Sequence, residues 1–193
     1  SSSIGKATYS ILVVGAVSMP ATNYSADYLP LSIGLQSKTA SLRLMGDIQI
    51  KHFFSTISGS YSKRANITID RNSYLTNEMH YTNKVDLPDA INLNARVGYR
   101  STRLITELVL DNWITQPGGF DITKNNMPFP SNTMNALKIG THTKYTFKRI
   151  PELAIVSGFN RTATGRNVGQ ANSVYAGLFY AVNFKKEIPK DEK

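Results

Sequence analysis

The chain contains no cysteine, so it has no disulfide framework, no thiolate metal site and no residue that would mark the redox state of its compartment. It also lacks any unbroken run of about 18 apolar residues, which excludes a membrane-spanning helix. Histidine occurs only at His52, His80 and His142, none spaced as a zinc-binding pair. Acidic residues are scarce, with 13 Asp and Glu against 22 Lys and Arg, and the resulting +9 permits an anionic partner. The apolar share of 41% falls slightly below that of globular chains. The opening SSSIGK has neither a charged n-region nor an apolar h-region. Any signal peptide is therefore expected to have been removed, and strands upstream of residue 1 are left open.

Alternation is abundant instead. In INLNARVGYR, Ile91, Leu93, Ala95, Val97 and Tyr99 interleave with Asn92, Asn94, Arg96, Gly98 and Arg100. A period of two is a strand with one apolar and one polar face. The same pattern runs through 41–51, 137–147 and 173–184, and in weaker form through 9–19, 53–63, 104–114 and 153–160. No helical period competes with it. Eight strands are predicted, most about 9–11 residues long, the length of a tilted strand crossing a bilayer. Short turns fall around 51–53, 100–103 and 148–152, while 20–40, 64–89, 116–135 and 161–171 form longer connections. Strict alternation of short turns and long loops is the asymmetry of up-and-down outer-membrane barrels.

Either face of such strands could be the inner one. An apolar interior would make a soluble barrel, and a polar interior would require lipid outside. The aromatics favour the second. Tyr9, Phe53, Tyr99, Tyr145, Phe147, Tyr180 and Phe184 fall on the outward parity near the turn end. Tyr61, Trp113 and Phe159 fall near the loop end, although Trp113 leaves the outward parity of its strand. Two aromatic girdles flanking an aliphatic band mark membrane–water interfaces. Arg43, Asp47, Lys51, Arg96, Arg100, Glu107, Asp111, Lys138, His142 and Lys144 share the other parity and are expected to line a lumen, with Gly98, Gly140, Gly158 and Gly177 making room among them. Six Lys and Arg there oppose three carboxylates. The expected fold is all-β, a transmembrane antiparallel up-and-down β-barrel over residues 1–184, followed by a charged tail, 185–193. Its eight strands either close by themselves or belong to a larger barrel.

GLFYAVNF, from Gly177 to Phe184, resembles the terminal strand of outer-membrane barrels, though the tail KKEIPKDEK follows the closing aromatic. With YSILVVGAVSMP, ANITIDR, GGFDITKNNMPFPSN and TGRNVGQ, the chain is similar to outer-membrane barrels of Bacteroidota-type bacteria, of the transporter or phenol-degradation-pathway-like kind. The resemblance implies polar residues in a lumen, an outer-membrane location and no established catalytic set.

Catalytic and metal motifs are not apparent. His142 in GTHTKYT has only Thr and Lys neighbours, so no Ser-His-Asp arrangement can be argued. DITKNN lacks the glycine and terminal Glu of a calcium loop, and TGRNVG lacks the Lys-Ser/Thr ending of a phosphate loop. No cofactor, metal or enzymatic activity is expected. Lys63, Arg64, Arg71 and Lys84 crowd one long loop with Tyr74 and Tyr81. This suits lipopolysaccharide beside a bilayer better than nucleic acid, which would want the basic and aromatic groups on one accessible face. The leading reading is a passive channel or transporter for small solutes. A structural or accessory barrel binding envelope proteins, and a soluble lipocalin-like binder, are the alternatives.

Overall fold

The computed structural model describes residues 2–4, 7–26, 34–76, 78–116 and 132–182. Phe184, the tail and most of the connection expected at 116–135 lie outside these residues. Eight long strands follow one another in chain order: β1 (Ala7–Ser18), β2 (Thr39–Ile50), β3 (Phe53–Arg64), β4 (Ala90–Arg100), β5 (Leu104–Thr115), β6 (Asn135–Thr146), β7 (Leu153–Arg166) and β8 (Asn172–Tyr180). Each pairs antiparallel with its sequence neighbours in one up-and-down sheet, and a short segment, Ser2–Ile4, pairs with the start of β1. No helix among the described residues is long and apolar enough to cross a membrane, which leaves strands that cross one untouched.

The register follows from the pleat. Directly opposed residues share a face, so Leu44 beside Val13 and Gly59, and Ile57 beside Gly46 and Ala95, keep the apolar parity in step across strands. A slip by one residue would set Arg43 or Asp47 among the aliphatics. The tight turn between β2 and β3 fixes the register there: Ile50 pairs with Phe53, leaving Lys51 and His52 as a two-residue loop.

The two faces differ in the opposite sense from a soluble sheet. Along β2, Leu42, Leu44, Ile48 and Ile50 are exposed, while Ser41, Arg43, Met45, Asp47 and Gln49 between them are half-buried. On β3 to β5, Ile57, Leu93, Val97, Leu108 and Leu110 are exposed, and Ser58, Asn94 and Glu107 are buried. The sheet therefore curls toward its polar face. Soluble monomers carry apolar patches of roughly 300–600 Å². An aliphatic ladder with members on all eight strands, from Ile11 to Leu178, is larger than that.

Two expectations are corrected. First, the eight strands do not close into a barrel. Among the described residues β8 pairs only with β7, and the far side of β1 carries only Ser2–Ile4. The outer strands consequently hold the most exposed aliphatics, with Val17 83% and Val174 81% accessible. Second, the fourth connection is short. Thr162–Arg166 extends β7, pairing with Asn135–Lys138 across a register shift at Leu137/Lys138, and only 167–171 remain to turn the chain. The bulge moves the turn signal of TGRNVGQ to its end, where Asn167 takes a left-handed φ of 55°.

The described parts of the loops between β1 and β2 and between β3 and β4 are structured. Ile67–Thr68 pairs with Lys84–Val85, and Tyr74–Leu75 with Met79–His80. Ala26, Ile67, Ile69, Tyr74, Val85 and Leu87 bury one another there, with Leu35 packed alongside, in a hydrophobic core cluster built from loop residues. Ser37 Oγ donates to Ala65 O at 2.6 Å and Ala65 N–H to Lys38 O at 2.9 Å, tying the two loops together.

Lys51 holds φ 55°, a left-handed conformation that crowds a side chain and costs roughly 1 kcal/mol. Lys51→Gly should therefore keep the register and raise stability by up to about 1 kcal/mol. The midpoint of chemical unfolding checks this, and a lowered midpoint would mean that the turn is not strained.

Candidate functional site

One row of cross-strand partners crosses the whole polar face: Thr8, Gln49, Phe54, Gly98, Glu107, His142, Gly158 and Tyr175. Its two glycines are needed for close approach. A Cβ on Gly98 would lie 2.1 Å from Thr106 O and 2.8 Å from Glu107 Cα. A Cβ on Gly158 would lie 2.3 Å from the Tyr175 hydroxyl and 2.5 Å from Thr141 O. Because Gly158 is bare, Tyr175 lies flat across it and reaches His142 Nδ1 at 2.7 Å, two strands away. The hydroxyl and imidazole thereby stitch edge strand β8 to β6.

Charged groups flank this row. Arg96 donates from Nη1 to Glu107 Oε1 at 3.1 Å and from Nε to Asn94 Oδ1 at 2.9 Å. Asp111 Oδ1 accepts from Asn92 Nδ2 at 3.0 Å and Asn94 Nδ2 at 3.1 Å, so the network runs unbroken from Asp111 through Asn94 and Arg96 to Glu107. Arg100 lies 4.0 Å over the Phe54 ring, donates to Gln49 Oε1 at 3.2 Å and approaches Asp47 Oδ2 at 3.6 Å. Thr56 donates to Asp47, and Arg43 Nη2 donates to Ser58 Oγ at 2.9 Å. Lys144 Nζ sits 4.1 Å over the Phe179 ring. Lys138 stands opposite Asp111 in the register, and no ion pair joins them; the Asp111 Oδ1 is bonded by two amides. Lys138 also lines a hollow of about 410 Å³ with Asn94, Arg96, Asp111, Asn160 and Thr162.

The structure thus brings Arg43, Asp47, Arg96, Arg100, Glu107, Asp111, Lys138, His142 and Lys144 onto one face, as their parity predicts. Lys51 is the exception, lying in the β2–β3 turn with its carbonyl accepting from Gln49 Nε2 at 2.9 Å. Among the aromatics, Tyr9, Phe53, Tyr99, Tyr145 and Tyr180 lie on the apolar face toward the turn end, and Tyr61 lies on it toward the loops. Phe147 follows the end of β6 and meets Tyr145 edge-on at 5.7 Å. Two aromatics are corrected. Trp113 pairs with Asn92 and Ala136 on the polar face, where the Arg64 guanidinium covers its ring at 5.3 Å. Phe159, opposite Thr141 and Val174, lies mid-strand because β7 runs on to Arg166. The polar partners Ser58, Asn92, Asn94, Thr56, Gln49 and Tyr175 were not singled out from the sequence. Their parity alone carried that signal, since each shares a face with the charged residues.

Asp89, just before β4, closes the rim and has no sequence signal. Its carboxylate accepts from the Tyr61 hydroxyl, from Lys63 Nζ at 3.0 Å and from Arg64 N–H at 2.9 Å. Burial pushes its pKa up, but these donors together outweigh burial and leave it below the ordinary value.

Among the described residues no group of three or more His, Asp or Glu is placed to hold a metal ion. His142 hydrogen-bonds to a tyrosine hydroxyl rather than to a nucleophile oriented by a carboxylate. What the face can do is solvate: it offers charges of both signs, amides and hydroxyls along a continuous wall. No protein-family model, curated protein or solved structure matches the chain.

Two outcomes follow from this geometry. Glu107→Ala strands the Arg96 guanidinium and should cost about 1–3 kcal/mol, whereas Lys84→Ala on an exposed loop should stay within about 0.5 kcal/mol. Equal melting shifts would refute an enclosed network. For Asp89, a folded-state pKa below the unfolded one means its contribution is present above about pH 4 and lost as pH falls below that value. The drop in unfolding midpoint between pH 7 and pH 3 should accordingly be smaller in Asp89→Asn than in the native chain.

Proposed function

We propose that the sheet is the wall of an outer-membrane β-barrel, with its apolar face against lipid, and that the polar face lines a passage for small solutes. The observation that carries this reading is the inverted burial: on the central strands aliphatic side chains are exposed and charged or amide side chains are enclosed. In water such a sheet would leave its aliphatics unburied at about 25 cal/mol per Å²; in a bilayer the same face is satisfied. The tyrosine and phenylalanine row at the turn end supports it, since amphipathic rings favour the membrane interface.

Lipid imposes one further demand. Backbone groups on an unpaired edge have no water to bond in the hydrocarbon region, so β1 and β8 must be paired there, with each other or with further strands. Pairing with each other closes eight strands, whose interior is just wide enough for side chains to fill. Further strands would leave a channel. The resemblance to Bacteroidota-type transporter-like barrels supports the second arrangement, and with it an outer-membrane location. Lipopolysaccharide beside Lys63 at the end of β3 and Lys84 in the β3–β4 loop is the partner suggested by the positive charge. A filled eight-stranded barrel would instead suit a structural or accessory subunit.

With Lys51 in a turn and Arg64 over Trp113, six Lys and Arg on the polar face stand against three carboxylates, and basic linings favour anions. The full chain should partition into membranes, and in planar bilayers it should pass a weakly anion-selective current. Lys138→Glu, which reverses an ammonium free of ion pairs, should shift the reversal potential toward cations. Cation-selective current from the native protein opposes the charge argument. Silence favours the accessory barrel, and a monodisperse protein without detergent opposes the membrane reading altogether.

A further inference from the structure

A second hollow is not on the sheet. It measures about 670 Å³ and lies between the β1–β2 loop and the start of the β3–β4 loop. Pro20, Asn23, Tyr24, Ser25 and Gln36 line it from one side, and Asn66, Ile67, Thr68 and Asp70 from the other. In a chain of net charge +9 its lining contains no Lys or Arg among the described residues, and Asp70 is the only charged residue among them.

The described residues of these loops are held in place by burial and hydrogen bonds. Ala26 and Ile67, each adjoining or lining the hollow, are 2% and 4% exposed and belong to the loop core cluster. Gln36 adopts a left-handed φ of 55°, strain that a non-glycine residue keeps only where its surroundings hold it. Its N–H donates to the Tyr24 hydroxyl at 2.9 Å and its Nε2 to Asn23 Oδ1 at 2.8 Å. Asn66 Nδ2 is committed to Asp86.

After these internal bonds, a set of open valences remains. Asn23 retains its amide hydrogens as donors. Gln36 Oε1, Asn66 Oδ1 and the Asp70 carboxylate remain as acceptors. Ser25 Oγ is buried with no hydrogen-bond partner, and leaving such a group unsatisfied is costly. Planar amides, a carboxylate and hydroxyls in a fixed mixture of donors and acceptors match vicinal hydroxyls, each of which donates once and accepts. The lack of a cation disfavours phosphate, sulfate or carboxylate ligands.

We propose that this hollow is a binding site for a neutral, polyhydroxylated ligand, an oligosaccharide, held by Asn23, Gln36, Asn66 and Asp70. The site is built wholly from loops and does not depend on whether the sheet conducts.

Isothermal titration of the purified full chain against neutral gluco-, manno-, galacto-, xylo- and chito-oligosaccharides tests it. At least one series should bind, and Asp70→Asn, an isosteric change on an exposed residue, should weaken that binding at least fivefold. Lys84→Ala, outside the hollow, should leave it unchanged. Binding by none of the series overturns the proposal, as does equal affinity in Asp70→Asn. Tighter binding of uronate or sulfated counterparts overturns the ligand class. Loss of conductance with sugar binding retained would refute only the channel reading.

Discussion

A pleated strand gives its side chains only two directions, and antiparallel pairing hands the same direction to the partner opposite. Everything else in this sheet depends on that constraint. Once Arg43 faces one side, so must Ser58 and Ser60 near or opposite it, and Leu42 and Leu44 must face the other. Eight strands in step therefore sum to one aliphatic surface and one polar surface. Their exposures show which way the sheet curls: Glu107 and Asn94 are nearly enclosed while Leu108 and Leu93 are open. Ordinary folding physics buries apolar area, and the sheet by itself lacks that usual driving force.

The polar face is held by bonds rather than by packing. Arg96 joins Glu107 and Asn94, Asn94 joins Asp111, and Tyr175 crosses Gly158 to His142. Networks of this kind are worth most when complete, because each enclosed charge that loses its partner pays the full desolvation penalty. Glycine makes the completion possible. Gly98 and Gly158 sit where any Cβ would collide with the neighbouring strand's backbone or with Tyr175. Lys138 is the member left over, and it lines the polar hollow.

The ends of the strands divide the labour differently. At the turn end, short turns and aromatic rings finish the sheet. At the other end, hydrophobic burial returns: Ile67, Ile69, Val85 and Leu87 form a core of the kind the sheet lacks. Asp89 joins the two regimes, accepting from Tyr61, Lys63 and Arg64 on β3. The described parts of the β1–β2 and β3–β4 loops are thus a small folded layer on the rim, with a hollow of their own.

Much of this was legible in the residues alone. The period of two in INLNARVGYR and its repeats identified all eight strands, their faces and the three tight turns, because the pleat imposes a period that no other element shares. Nine of the ten polar residues expected on one face lie there for the same reason. What tertiary structure decided are the matters that parity does not encode. Pairing beyond the expected strand end carried β7 through a bulge to Arg166, shortening the last connection and leaving Phe159 mid-strand. Lys51 left the face because a two-residue turn claimed it, whereas the polar side of Trp113, opposite Asn92 and Ala136, was already given by its parity. The Asp89 junction and the loop core required distant segments to meet, and no local period announces such a meeting. Closure is of the same kind: whether β1 and β8 find partners depends on backbone edges, which look alike in every strand, and not on the side chains that a sequence displays.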